Sequence, residues 1–370
     1  MSNRLSHSAA SKFQECPKAY EFHYLQKLRS KTTSGALLFG SALDAALTVL
    51  MKSKMNPEEK EKDPYKTFGY MFRFQEINGQ QEYLTTSTNI VYSNSDFDKD
   101  LLQNEDYIKI KEILKEEHIE ELFDRALELK DQFGWRDLDN KYKKIINVFN
   151  WFSLFRKGEI MIDSIIKNIL PNITEVLGVQ EYVKLDNGIG DTVIGYADLV
   201  CRYKGQDTPV VIDFKTSSMV YEKDSVLTSP QLSLYVHSLR ERFENTNRAG
   251  FIVLNKQIKK NKTKICSVCS ADASGTTVKT CASEASGKRC KGELNITIKP
   301  EVFIQELFND IPPATEDLVL DNFDSINKMI KLGIFSRNLS SCRRPWGICP
   351  YFSKCFYNSD EDLVDMKEKK

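Results

Sequence analysis

The sequence predicts an α/β protein, with a compact mixed sheet in the middle of the chain and helices around it. Two observations carry that reading. Residues 174–186, 191–203 and 209–216 are rich in β-branched and aromatic side chains and are separated by turn residues, as consecutive strands are. On either side of them apolar residues recur at helical spacing instead.

Taken in order, residues 5–28 read as helical, because Phe13, Cys16, Tyr20 and Tyr24 recur at helical spacing and Pro17 suits the first turn of a new helix. Residues 36–52 predict a second helix, entered through Gly40-Ser41. The stretch 53–130 is charge-rich and mostly helical in pattern, with loops expected at Asn56-Pro57, Asp63-Pro64 and Tyr92–Asp100. A further helix is expected over 149–168, and the texture changes to strand near Pro171. Asn187-Gly188 separates the first two strands, and Gly205 to Thr208 the second and third. Helix returns over 230–245 and strand over 250–258, with 294–299 as its expected partner. Between those two strands lies a Gly/Ser/Thr-rich insert that carries cysteines. Residues 301–334 read as helix, followed by a short cysteine-rich segment and a charged tail. The expected organisation is a helical region at 1–170, a core at 171–260, an insert at 261–293 and a C-terminal region at 294–370.

Composition narrows the function. The 370 residues are 41% apolar and 28% charged, and 52 Lys+Arg balance 52 Asp+Glu. That balance excludes a polybasic, histone-like role and leaves room for a local basic groove. No run approaches the ~18 consecutive apolar residues of a membrane span. The polar start Met1-Ser2-Asn3-Arg4-Leu5-Ser6 shows no hydrophobic signal segment. The expectation is a cytoplasmic protein with no membrane partner. In that compartment nine cysteines suit metal binding better than disulfides, and Cys201, alone in an apolar run, is expected to be a buried small hydrophobe. His7, His23, His118 and His237 show no ligand spacing, and neither a Walker loop nor a Gly-x-Ser-x-Gly elbow occurs.

The chemistry concentrates in Ile194-Gly195-Tyr196-Ala197-Asp198-Leu199-Val200 and Val210-Val211-Ile212-Asp213-Phe214-Lys215-Thr216. Each strand-like run carries an acid among apolar neighbours, where an unpaired charge is costly. Alternation puts Asp213 and Lys215 on one face of their strand, and hairpin pairing would bring Asp198 beside them. Two carboxylates there make a hard-oxygen site for Mg²⁺ or Mn²⁺, with a lysine to position or deprotonate water for phosphodiester hydrolysis. The plainer alternative is that Asp198 caps a turn and Asp213–Lys215 is a surface pair.

Gly195-x-x-Asp198 followed by Asp213-x-Lys215 resembles the core of the PD-(D/E)XK nuclease superfamily. Further residues resemble its RecB-like branch in the same order. Gln231 and Tyr235 match a Gln-x-x-x-Tyr helix, and Phe39-Gly40-Ser41-Ala42-Leu43-Asp44 is similar to a Gly-x-x-x-His motif, with Asp44 in place of histidine. Glu181, in Gln180-Glu181-Tyr182, stands where the family often has a Glu. The resemblance implies a restriction-endonuclease-like mixed central sheet flanked by helices. It also implies a metal held by Asp198 and Asp213 with Asp44 and Glu181, water positioned by Lys215, and Gln231 and Tyr235 organising the site and its DNA strand.

Cys16 precedes Pro17, and more than three hundred residues later come Cys342, Cys349 and Cys355, spaced Cys-x6-Cys-x5-Cys. One early and three late thiolates could supply a single [4Fe–4S] cluster or zinc site, or remain unliganded. The arrangement looks like that of the iron–sulfur RecB-like nucleases, which include CRISPR-associated exonucleases and the AddB subunit, although they usually have a shorter first late interval. The resemblance implies a structural cluster stapling the chain ends together.

In the insert, Cys266, Cys269, Cys281 and Cys290 form Cys-x2-Cys-x11-Cys-x8-Cys. So few apolar residues surround them that a tetrahedral Zn²⁺ site would supply the missing folding energy of a small zinc ribbon, the alternatives being a second Fe–S site or free thiols. Residues 251–300 carry ten Lys/Arg against three Asp/Glu, a charge suited to DNA phosphates or simply to solvation. The expected function is a metal-dependent DNA exonuclease, phage-encoded or CRISPR-linked, that resects DNA ends in recombination, replication or repair. Its expected partners are DNA and a recombinase, a single-strand-binding protein or a CRISPR or replication protein. The competing reading is a non-catalytic DNA-binding scaffold.

Overall fold

The computed structural model describes residues 4–59, 63–72, 74–77, 80–83, 89–91, 97–186, 192–244, 246–274, 276–285, 288–344 and 347–367. The Asn187-Gly188 turn and residues 92–96 of the expected loop lie outside the described residues. A short strand β1 (Arg4–Ser6) leads into α1 (His7–Glu15) and α2 (Pro17–Tyr20), then β2 (Leu28–Ser30) and the long α3 (Gly35–Met55). Helices α4 (Pro64–Met71), α5 (Asn104–Leu114), α6 (Ile119–Asp137) and α7 (Asn140–Ser164) follow. The middle of the chain holds β3 (Ile173–Asp186), β4 (Thr192–Tyr203), β5 (Val210–Ser217), α8 (Pro230–Leu239) and β6 (Arg248–Asn255). Then come β7 (Lys259–Cys266), β8 (Leu294–Glu301), β9 (Ile304–Asp310), α9 (Thr315–Lys331), α10 (Phe352–Tyr357) and β10 (Leu363–Asp365).

The central sheet runs β1-β4-β5-β6-β9, with β3 along the other edge of β4. β3, β4 and β5 are antiparallel neighbours, and β5 and β6 are parallel, joined through α8 as a strand–helix–strand crossover. Alternation gives the sheet two apolar faces. Leu199, Cys201, Val210, Ile212, Ile252 and Leu254 pack beneath α3 and α7, against Phe39, Leu43 and Phe149. Val193, Val200, Val211, Phe251 and Val253 pack beneath α1, α8 and α9, against Phe13, Leu232 and Phe323. The result is three layers, helix–sheet–helix.

Local chemistry fixes the helices that flank the sheet. Ser34 caps α3, its hydroxyl accepting from the Leu37 N–H, and Gly40-Ser41 lies inside the helix instead of at its start. This 21-residue helix is apolar enough to cross a membrane by length and composition, yet Phe39, Leu43, Leu47 and Met51 fill the core beneath it. Asp139 caps α7, which begins well before the expected 149. Cys16 adopts an extended conformation and Pro17 takes the first turn of α2, so the predicted 5–28 helix breaks there.

Two expectations at the far edge are overturned. Residues 294–301 pair with 259–266, making the insert a two-stranded arm, and the partner of β6 is instead β9. That strand falls in the stretch expected to be helical, and helix begins only at Thr315. Ile304, Leu307 and Phe308 stand at i, i+3 and i+4, a helical pattern, and pairing with a buried strand overrides it.

Candidate active site and cysteine clusters

β4 forks the sheet. On one edge it pairs with β1 through Thr192–Ile194 and with β5 through Leu199–Cys201, leaving Gly195–Asp198 between them. The β4–β5 ladder stops at Leu199 opposite Ile212, so Asp198 and Asp213 are the next residues on the two strands. In place of a ladder bond, Asp198 Oδ2 accepts the Phe214 N–H at 2.9 Å. The short apolar runs around both acids hold them in the sheet at the fork.

Asp213 is almost fully buried, and its carboxylate is 2.5 Å from Lys215 Nζ, on the same strand face as alternation requires. Helix α8 completes the group from above. Its N-cap Ser229 accepts from the Leu232 N–H and Pro230 opens the first turn, which sets Gln231 at the helix start over β5. The Gln231 amide donates to Asp213 Oδ1 at 2.8 Å and to the Tyr235 hydroxyl at 2.7 Å, while its oxygen accepts from Lys215 Nζ at 3.1 Å. Gly195 makes room for this layer, because a Cβ there would stand 3.2 Å from the Tyr235 ring and 3.1 Å from Val183.

Asp44 approaches the two acids from α3. Partial burial, then the charge of Asp213, raise its carboxyl above the ordinary range. Burial raises Asp198 strongly, with Asp213 and Asp44 adding like charge. Burial also raises Asp213, against the opposing pull of Lys215. Burial alone would lower Lys215, but Asp213 outweighs it and holds the ammonium. Three acids against one lysine leave an excess of negative charge that a divalent cation would neutralise, and hard oxygen donors suit Mg²⁺ or Mn²⁺. Among the described residues, Asp44, Asp198 and Asp213 do not form a set of three carboxylates all within 4.8 Å of one another, and Asp213 is engaged by Lys215 and Gln231.

Glu181 does not join them. Its carboxylate pairs with Arg242, and the neighbouring Gln180 is the side chain of β3 that reaches Asp198, at 3.4 Å, and Thr48 of α3, at 3.2 Å. Gln180 has a left-handed backbone (φ 54°) within a stretch of β3 that keeps its register with β4, and its side chain is the one turned toward Asp198 and Thr48. His7, given no role from the sequence, sits at the start of α1, its pKa lowered to about 4 by burial and by nearby Lys215. No spacing signal marks either residue, because each arrives through tertiary structure.

A family model for the PD-(D/E)XK nuclease superfamily matches residues 4–87 and 100–355. The chain belongs to that superfamily. The mixed sheet flanked by helices is its restriction-endonuclease-like fold. No curated protein matches this PD-(D/E)XK chain in sequence. A solved structure described as "Crystal structure of SSO0001" is similar at 14% identity, covering 69% of this chain and 95% of that chain, with a TM-score of 0.26.

The two cysteine sets of this superfamily member differ. In the insert, the sulfurs of Cys266, Cys269, Cys281 and Cys290 all lie within 4.8 Å of one another, at 3.7 Å for Cys266–Cys290 and 3.5 Å for Cys269–Cys281. The Cys269 and Val268 N–H groups point at Cys266 Sγ and lower its pKa, and Cys269 falls to about 6, first through the Ser283 hydroxyl. A Cβ at Gly292 would come 2.7 Å from Cys266 Sγ, so only glycine admits the close approach. At the other site Cys16 packs with Phe22, Leu28, Tyr351 and Leu363, and Cys349 and Cys355 pack against that cluster. Burial raises the Cys355 thiol, which also feels Cys16 and Cys342. These sulfurs are not gathered as tightly as those of the insert. Pairing of β2 with β10 and hydrogen bonds from Asn338 and Ser341 to the Glu15 carbonyl already tie the two ends together.

Proposed function

We propose that the chain is a Mg²⁺- or Mn²⁺-dependent deoxyribonuclease that hydrolyses phosphodiester bonds at DNA ends. The observation that carries this reading is the convergence of Asp198, Asp213 and Lys215 at the sheet fork beneath Gln231. Asp198 and Asp213 would hold the ion, with Asp44 completing the set from α3. A divalent ion there supplies charge stabilisation at the phosphoryl oxygens and a more acidic water. Lys215 aims its donors at the attacking water, and Gln231 fixes the lysine's direction by accepting from Nζ. Tyr235 holds Gln231 in register. Asp213 therefore serves both sides of the reaction, as ion ligand and as the anchor of Lys215.

In the finer reading, the enzyme is a cytoplasmic RecB-like exonuclease that resects ends for recombination, replication or repair, alongside a recombinase, a single-strand-binding protein or a CRISPR or replication partner. The absence of any disulfide among the nine cysteines suits a reducing compartment. The insert holds Zn²⁺. Four sulfurs around zinc at ~2.3 Å stand about 3.8 Å apart, close to the distances between its thiols. Cys16, Cys342, Cys349 and Cys355 hold a [4Fe–4S] cluster, whose cube needs its thiolates spread wider than one zinc ion does. The exposed Lys279 and Lys291 bring positive charge on the insert to the DNA backbone.

Labelled linear DNA incubated with Mn²⁺ tests the central claim. The wild type should degrade it while Asp213→Ala and Lys215→Ala do not, and equal degradation by all three would refute the assignment. Absence of cleavage by anaerobically purified protein would favour the binding scaffold instead. Metal analysis of that preparation should give iron and zinc together, with absorbance near ~400 nm.

A further inference from the structure

Tyr182 and Tyr196 stand directly opposite each other on β3 and β4, with ring centroids 5.5 Å apart. They are 43% and 56% exposed, so two large rings face solvent side by side. Gly195 and Ala197 face α8, which turns Tyr196 to the opposite surface of the ribbon. Val183, also beneath α8, does the same for Tyr182. That opposite surface is where Gln180 meets Asp198. Two residues along a strand advance ~6.7 Å, so the ring pair lies one such step from the metal-ligand candidate Asp198. One step further on the same face of β3 is the exposed Lys184.

We propose that this row, carboxylate then paired rings then cation, is a track for single-stranded DNA, with unpaired bases stacking on Tyr182 and Tyr196 as the strand approaches Asp198. The inference rests on the nuclease reading and adds its substrate class. Bases in a duplex already stack on their neighbours and offer surface side chains only phosphates and groove edges. A ring pair beside the site gains contact only when the strand is unpaired, and aromatic platforms hold single strands in this sequence-tolerant way. Lys184 lies where the backbone of the stacked strand would need a cation. The rings' cross-strand contact also supports the hairpin, a role that the double Phe variant keeps and that would not distinguish an unpaired strand from a duplex.

The test uses the full chain with Ca²⁺ replacing Mg²⁺, and reads fluorescence anisotropy on labelled oligo-dT, a blunt duplex of equal length and oligo-U. The wild type should bind oligo-dT more tightly than the duplex. The double variant Tyr182→Leu/Tyr196→Leu should lose roughly tenfold or more on oligo-dT while keeping its duplex affinity and melting temperature. The double Phe variant should bind as the wild type does. Equal loss on both DNAs, no loss on oligo-dT, or preference for oligo-U would each overturn the proposal. Hydrolysis in Mn²⁺ is scored on the same preparations. Cleavage with ring-independent binding sinks the track alone, and ring-dependent binding without cleavage sinks the nuclease reading alone.

Discussion

The sheet fork and the cysteine insert both gather polar ligands, and they do it by opposite means. At the fork, Asp213 sits among Val211, Ile212 and Phe251 in a sheet covered on both faces, so the core positions the acids and absorbs the cost of bringing like charges together. In the insert, β7 and β8 form an arm with Ile265, Val268 and Ile296 exposed, and its buried groups include the ligands Cys266 and Cys281 themselves. A packed fold there supports a site whose donors repel one another, while a site with strongly attractive ligands supports a fold that packing cannot. Removing a ligand should therefore abolish activity without unfolding in the first case, and unfold without abolishing activity in the second.

The largest effect is expected at the fork. Asp213→Ala should lower the rate of DNA cleavage by on the order of a thousandfold, the scale of several kcal/mol of transition-state charge stabilisation. Its circular dichroism should stay native, and loss of the folded signal would show that the acid is structural. Next is the insert, where Cys269→Ser should release the bound metal and open residues 259–301 to limited proteolysis. The rest of the chain should keep its melting transition, because the main core makes no use of those sulfurs. A global loss of stability would erase the contrast between the two regions.

A third, smaller effect concerns stability at the fork. A carboxyl whose pKa is raised by folding costs stability as pH rises from the ordinary carboxylate range through its folded value. Asp198 is such a group, through burial and the charges of Asp213 and Asp44. In metal-free buffer at neutral pH, Asp198→Asn should melt higher than the wild type by the ~1 kcal/mol scale that relaxed active sites commonly give. The gap should close in mild acid, and Mg²⁺ should raise the wild-type melting temperature and not that of the variant. An unchanged or lower melting temperature for the variant would mean that Asp198 is already satisfied by the Phe214 N–H and Gln180.

Much of this contrast was legible in the sequence because its signals are local. Alternation alone put Asp213 and Lys215 on one strand face, i and i+4 spacing put Gln231 and Tyr235 on one helix face, and the Cys-x2-Cys knuckle announced the insert. The features that escaped depend on long-range pairing. Strand β9 carries a helical spacing of apolar residues and becomes a strand only beside β6. Strand β1 has three residues and is fixed by β4, which brings His7 next to Lys215. The left-handed backbone at Gln180 in β3 sets an amide beside Asp198 in place of the expected acid, which no composition rule predicts.

That substitution gives the smallest expected effect and the sharpest check on the fork. Glu181 and Arg242 form a pair near the surface, and such pairs contribute ~0–1 kcal/mol. Glu181→Gln should leave cleavage rate, metal dependence and melting temperature close to wild type. Gln180→Leu, one residue away, removes the amide that spans Asp198 and Thr48 and should weaken the apparent Mg²⁺ affinity by ~10-fold, the lower end of what supporting ligand contacts contribute. A titration of cleavage rate against Mg²⁺ for both variants separates the two residues. If Glu181→Gln shifted the midpoint and Gln180→Leu did not, the acid would have to leave Arg242 and turn toward Asp198, and the arrangement of β3 described above would be the inactive one.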